Sequence, residues 1–255
     1  LGEAQRWRLE ARRRNPEDAY AWFRVCLGYL NLGDLPSAEN CAAELRLAHP
    51  EKVISDGIWP AIHAYRGESE SVIETLQALL ERVPGYRPYV RWLADRTAGQ
   101  GDIEGALGLM ADAFPELLED DLELAANALH SAIVFAAILH ANGETQRRDA
   151  LLLAAEKQIA SKHRIRGSAV GVLDVHIHAI RGDREQAVAG LREAIDTGWR
   201  VAGLSFDDSW WTIRNDWKLE SLQQDPEFFE MIDELEADIR KQREWYEKDK
   251  NDPLF

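Results

Sequence analysis

Cysteine is nearly missing from this sequence: Cys26 and Cys41 are the two thiols in 255 residues. Two thiols make neither a disulfide framework nor a four-thiolate zinc site. Long apolar runs are missing too. A membrane-spanning helix needs about 20 consecutive apolar residues, and the best stretch, residues 131–139, is bounded by His130 and His140. Basic side chains are outnumbered, 30 against 45 acidic ones, for a formal charge of −15. That balance argues against nucleic acid as a partner, because a phosphate backbone is held by a basic face that releases counterions. An initiating methionine and the basic-then-apolar start of a secretory signal are also absent. What is present, 45% apolar and 29% charged residues, suffices for a buried core and a solvated surface in one large or two ordinary domains.

The sequence repeats. Glycines fall at Gly33, Gly67 and Gly101, each followed by an acidic residue: Asp34, Glu68, Asp102. Prolines keep the same register at Pro16, Pro50 and Pro84. A period of this length marks an array of helical hairpins. Glycine takes the left-handed conformation that ends the first helix, and the carboxylate faces the start of the second. Proline then stops the second helix. In the clearest unit, residues 19–52, Trp22 and Tyr29 are one heptad apart and share a helix face, while Ala38 is small enough for close approach.

Trp22, Val25, Cys26, Tyr29, Gly33, Ala38, Ala42, Leu45 and Pro50 occupy the signature positions of a tetratricopeptide repeat (TPR), with Cys26 in place of glycine and Ala42 in place of an aromatic. The sequence therefore resembles the TPR family. The resemblance implies an all-α fold, a right-handed superhelical solenoid of helix pairs closed by a C-terminal capping unit. Residues 1–18 read as the second helix of a truncated repeat, so the chain is expected to be a piece of a longer protein. Complete repeats follow at 19–52, 53–86 and 87–121. Degenerate ones are assigned to 122–164 and 165–199, the fourth delayed by an acidic stretch at 116–123. Its first helix is apolar nearly all round, as suits a helix buried between neighbours.

Beyond Gly198 the composition changes, and five of nine tryptophans follow: Trp199, Trp210, Trp211, Trp217 and Trp245. Asp225, Pro226 and Glu227 form a helix start. Residues 200–255 thus read as a Trp-rich cap and helix covering the last apolar face. Trp210, Trp211 and Trp217 are expected to be buried there. The tail resembles the last unit of TPR arrays in the C-terminal halves of bacterial class III adenylate cyclases and winged-helix transcriptional activators.

Several motifs carry less than they suggest. The glycines at 99, 101 and 105 are one position out of register for a phosphate-binding loop and follow a helix rather than a strand, which leaves an inter-helix turn. His176 and His178 are two apart, about 200° around a helix, and do not chelate as a pair. His178 is expected in the core and His176 toward the groove. The arginines at 6, 8, 12, 13 and 14 read as a solvated helix face. Cys26 and Cys41 lie symmetrically about the Gly33 turn, which brings them level on antiparallel helices. The favoured expectation is two small buried residues; oxidation would add weight to an extracytoplasmic location.

No nucleophile with a neighbouring base and orienting acid stands out, and no cofactor or metal is expected. The expected function is a non-catalytic protein–protein interaction scaffold, the C-terminal part of a larger bacterial signalling protein. Its groove would be lined by the first helix of each pair: Tyr20, Phe23, Arg24, Leu27, Ile58, Tyr65, Arg91, Trp92, Asp95, His130 and His176. The groove would hold a protein or peptide, or else be filled by the C-terminal helix. Phe23 and Leu27 replace the Lys and Asn with which chaperone-tail-binding TPRs hold a carboxylate, which disfavours that partner class. The alternative function is a regulatory or sensor segment controlling an upstream adenylate cyclase or DNA-binding domain. Homo-oligomerisation is a third, weaker reading. The compartment, cytoplasmic or an extracytoplasmic part of a membrane-tethered protein, is left open.

Overall fold

Glycine turns divide the chain into helices as the sequence requires. In a computed structural model describing residues 1–119, 122–125, 127–160, 170–200 and 209–250, the protein is all-α, and no strand occurs among the described residues. The helices are α1 (Gly2–Arg14), α2 (Ala19–Asn31), α3 (Leu35–Ala48), α4 (Trp59–Arg66), α5 (Ser69–Arg82), α6 (Arg87–Gly99) and α7 (Ile103–Ala113). They continue with α8 (Leu129–Ala141), α9 (Thr145–Ala160), α10 (Val170–Arg181), α11 (Arg184–Asp196) and α12 (Pro226–Asp249). Short 3-10 turns cover Val53–Ser55, Pro115–Leu118, Ile213–Asn215 and Trp217–Leu222.

Five helix pairs pack side by side: α2 with α3, α4 with α5, α6 with α7, α8 with α9, and α10 with α11. One turn joins the helices of every pair. Gly33, Gly67, Gly101, Gly143 and Gly182 all have φ between 70° and 91°, which side chains with a Cβ resist. The amide of the following acidic residue then donates back to a carbonyl five positions earlier: Asp34 to Tyr29, Glu68 to His63, Asp102 to Thr97, Glu144 to Leu139 and Asp183 to His178. This closes carbonyls that the helix end would otherwise leave unpaired. Asp34 and Asp102 also accept from the amides of Ser37 (3.2 Å) and Gly105 (2.9 Å), capping α3 and α7. Gly101 thus makes the inter-helix turn, while Gly99 ends α6 and Gly105 lies in the first turn of α7. Helices α1, α3, α5 and α7 each stop two residues before Pro16, Pro50, Pro84 and Pro115, where proline disfavours helical backbone in its predecessor.

The chain forms two compact units, Leu1–Val83 with Ile232–Phe255, and Pro84–Met231. In unit 1, Val25, Cys26, Leu30, Ala38, Leu45, Ile62 and Leu76 make the core. Cys26 and Cys41 are joined as a disulfide with a Cα separation of 5.3 Å. The expectation of two unbonded small residues is corrected accordingly: the α2–α3 crossing brings the sulfurs within bonding reach, not merely level. In unit 2 the core runs through α6 to α10, and α8 is its centre, buried continuously from Ser131 to Leu139. The acidic insertion falls between α7 and α8; its residues 120 and 121 lie outside those described. The 3-10 turn at Trp217–Leu222 packs against α10 and α11. There Trp210 is buried, while Trp211 and Trp217 are half-buried. On α12 the buried residues Phe228, Met231, Ile232, Leu235, Ile239 and Tyr246 recur at helical spacing and form one stripe.

Candidate interaction site

In unit 1 the Asp18 carboxylate caps α2 by accepting from the amides of Tyr20 and Ala21. That starts the helix so that Tyr20, Phe23, Arg24 and Leu27 share a face at spacings of three, four and seven. Phe23 and Leu27 are buried, and Ile58, just before α4, is sealed completely. Tyr20 is 45% exposed. Its ring stacks on Phe23 with centroids 6.2 Å apart, and the Arg24 guanidinium lies 6.0 Å from the Tyr20 ring. Burial, then the like charge of Arg24, holds the Arg8 guanidinium below its ordinary pKa.

Tyr65 on α4 is half-buried. Burial raises its pKa, with Arg243 of α12 opposing and Glu236 and Asp34 reinforcing. The C-terminal part of α12 therefore lies beside it. Arg243 donates to the carbonyl of Gly33 at 2.7 Å, and the buried Tyr246 ring meets Tyr29 edge-on with centroids 6.3 Å apart. Within unit 1, the side of α2 and α4 bearing Tyr29 and Tyr65 is thus occupied by the chain's own helix, and Tyr20 is exposed beside the half-buried Arg24.

In unit 2 the predicted residues lie on α6 (Arg91, Trp92, Asp95), α8 (His130) and α10 (His176). Arg91 and His130 are half-buried; Trp92 and His176 are buried, and Asp95 is entirely enclosed. Asp95 and His176 converge on a single short segment, residues 216–218. The Lys218 ammonium donates to Asp95 Oδ1 at 2.7 Å, and the Trp217 indole N–H donates to the same oxygen at 3.0 Å. Arg96 holds the other Asp95 oxygen at 2.8 Å. On the far side, Asp216 Oδ2 accepts from His176 Nε2 at 2.9 Å, and Asp216 Oδ1 lies 2.9 Å from Lys218 Nζ. The same Asp216 oxygen also accepts from the Lys218 backbone amide, at 3.0 Å, which bends the segment into a tight turn.

Burial alone would push both carboxyls up. Lys218 and Arg96 overcome it at Asp95, and Lys218 with His176 does so at Asp216, so both stay below the ordinary carboxylate range. The arrangement can bind and orient a chain segment. Among the described residues, no group of three or more His, Cys, Asp or Glu side chains is placed to hold a metal ion, and no helix is long and apolar enough to cross a membrane.

Asp95 and His176, expected in an open groove, are buried against the chain's own segment, and Arg96, Asp216 and Lys218 were not expected there. One signal for Lys218 was present: a lysine set between Trp217 and Leu219 in an aromatic-rich stretch needs a buried partner if that stretch is buried. No family model and no curated protein sequence matches the chain.

Proposed function

We propose that this chain is a TPR-type right-handed superhelical solenoid acting as a non-catalytic protein–protein interaction scaffold within a larger bacterial signalling protein. The observation that carries the reading is the convergence of Asp95 and His176, from two different helix pairs, on residues 216–218. Side chains on the first helices of two pairs do hold a short turn of polypeptide, and they do so through paired charges and directed hydrogen bonds. Tyr20 with Arg24 supplies an accessible contact of the residue types enriched at binding hot spots. The glycine–acid turn repeated in all five pairs supports the TPR-type array.

The occupied faces also favour the second reading, a regulatory segment acting on an upstream cyclase or DNA-binding domain. A face filled in cis is one that another segment can compete for. The Cys26–Cys41 disulfide favours an oxidising compartment for unit 1.

Phe23 and Trp92 are core residues, so they cannot report on binding alone. The informative change is Tyr20→Ala with Arg24→Glu. It should leave thermal stability within about 0.5 kcal/mol, as for surface changes, while removing partner capture or regulation of the full-length protein. Unchanged capture and regulation would refute the assignment of this face.

A further inference from the structure

Residues 216–218 sit in unit 2 as a ligand sits in a site. The three polar groups of the segment are read by two different helices. His176 on α10 takes the carboxylate of Asp216, while Asp95 on α6 takes both the Trp217 indole N–H and the Lys218 ammonium. Arg96 orients the receiving carboxylate by binding its second oxygen. Sterics match the chemistry. A Cβ added at Gly99, the last residue of α6, would lie 3.0 Å from the Trp217 ring. Glycine weakens a helix relative to alanine, and the room it leaves for the indole accounts for its presence.

The polarity of this contact distinguishes it from ordinary core. Two carboxylates, an ammonium and an imidazole are nearly or wholly removed from water here. Their desolvation is costly and offsets much of their mutual attraction. On separation, both surfaces regain hydration, which apolar surfaces cannot do. Paired charges therefore contribute selectivity for this segment more than adhesion.

We propose that the α6–α10 face of unit 2 is a recognition site for an acidic–aromatic–basic peptide turn, Asp-Trp-Lys or its chemical equivalent, presented by a partner protein, with residues 216–218 as its built-in occupant. This deepens the scaffold reading and rests on it. The acidic position is selected by His176, the basic one by Asp95, and the aromatic one by Asp95 together with the space over Gly99. A tethered occupant competes at the high effective concentration of an intramolecular ligand, so a peptide in trans binds only when the occupant is weakened.

The test uses the full chain with Trp217→Ala and Lys218→Ala. Asp95 keeps Arg96 and Asp216 keeps His176, so neither carboxylate is stranded. The probe is a fluorescent peptide of this chain's residues 212–222. The emptied variant should bind it at least ten-fold more tightly than the unmodified chain. Adding Asp95→Asn, or replacing Trp by Ala in the peptide, should each lower that affinity ten-fold or more.

Hydrogen exchange on α6 and α10 is read alongside. Wild-type protection with no peptide binding overturns the proposal, and so does binding indifferent to Asp95→Asn. Loss of protection that spreads from α6 and α10 to α8 and is not restored by excess peptide would make the segment plain core, which also overturns it. If the unmodified chain is a dimer by light scattering and the emptied variant a monomer, the occupant comes from a second copy and the partner assignment falls. The scaffold reading is judged separately, by the Tyr20 and Arg24 change in unit 1, which leaves these residues untouched.

Discussion

Unit 1 wears its charges at the rim, whereas unit 2 has swallowed some of them. In unit 1 arginines lie over tryptophans, Arg12 at 3.6 Å from the Trp22 ring centroid and Arg46 at 4.9 Å from that of Trp59. Asp56 is shared by Arg46 and Arg82, and Glu39 pairs with Arg66 at 2.5 Å. All of these pairs keep some contact with water, and such pairs stabilise little individually. What ties α2 to α3 covalently is the disulfide. Unit 2 has an apolar core centred on α8, and beside it a sealed cluster in which the side chains of Asp95, Asp216, Lys218 and His176 are 1% exposed or less. Helix pairs with the same turn are therefore fastened in two ways. A covalent tie restricts the unfolded chain and says nothing about which segment lies on the face. A buried ion cluster adds little net stability but admits only the segment that satisfies it.

Breaking the cluster should have the largest effect. Lys218→Met removes the cation shared by two enclosed carboxylates and, unlike alanine, fills its place with an apolar chain that keeps water out, a loss of about 3–5 kcal/mol for a broken buried pair. Native-state hydrogen exchange should show α6 and α10 amides losing protection while α2 and α3 amides keep theirs. Equal losses in both units would remove the contrast. Acid should act in the same direction. Asp95 and Asp216 sit below the ordinary carboxylate range, so their contribution is complete above about pH 4 and drains away as pH falls through their folded values. Unit 2 amides should therefore lose protection in acid before those of unit 1. Glu10 of unit 1, held down to about 2 by Arg13 and Arg14 on the surface of α1, is too exposed to produce a comparable effect.

The tie in unit 1 comes next. Reduction, or Cys26→Ser with Cys41→Ser, should cost about 3 kcal/mol, the chain-entropy estimate for a closed loop of this size. The sequence separation is 15. Loss should be confined to unit 1 amides. A non-reducing thiol titration that finds two free thiols in the folded protein would remove the tie altogether and leave unit 1 held by packing alone.

How much of this was readable from residues alone depends on the distance over which each feature is fixed. The Gly33–Asp34 pair and its counterparts were legible because the whole turn is settled within six residues by backbone preference and one returning hydrogen bond. The closeness of Cys26 and Cys41 was legible for the same reason, by symmetry about that turn, whereas their bonding depends on the final approach of two helices. Asp95 and His176 were singled out by the repeat register, which places them on the first helices of their pairs. Their partners were not, because Lys218 is 123 residues from Asp95 and Asp216 is 40 from His176. No periodicity links helices to the irregular segment that packs against them. Gly99 shows the limit within one residue: its place beside a turn was visible, its contact with Trp217 was not.

The two units agree in the caps of their second helices, where the smallest effect is expected. Asp34 caps α3 in unit 1 and Asp102 caps α7 in unit 2, each accepting an amide hydrogen three residues on. Both follow a left-handed glycine, and neither joins the disulfide or the ion cluster. Removing a capping carboxylate strands one amide of the first turn and takes a negative charge from the positive end of the helix dipole, at a cost of about 1 kcal/mol. Asp34→Ala and Asp102→Ala should thus destabilise their own units by similar amounts in denaturant, despite the different fastenings. Asp102 has the shorter bond, 2.9 Å against 3.2 Å, so any difference should run toward α7. A cost several times larger at one turn would mean that this carboxylate also serves the fastening of its unit. The shared turn and the separate fastenings would then no longer be independent.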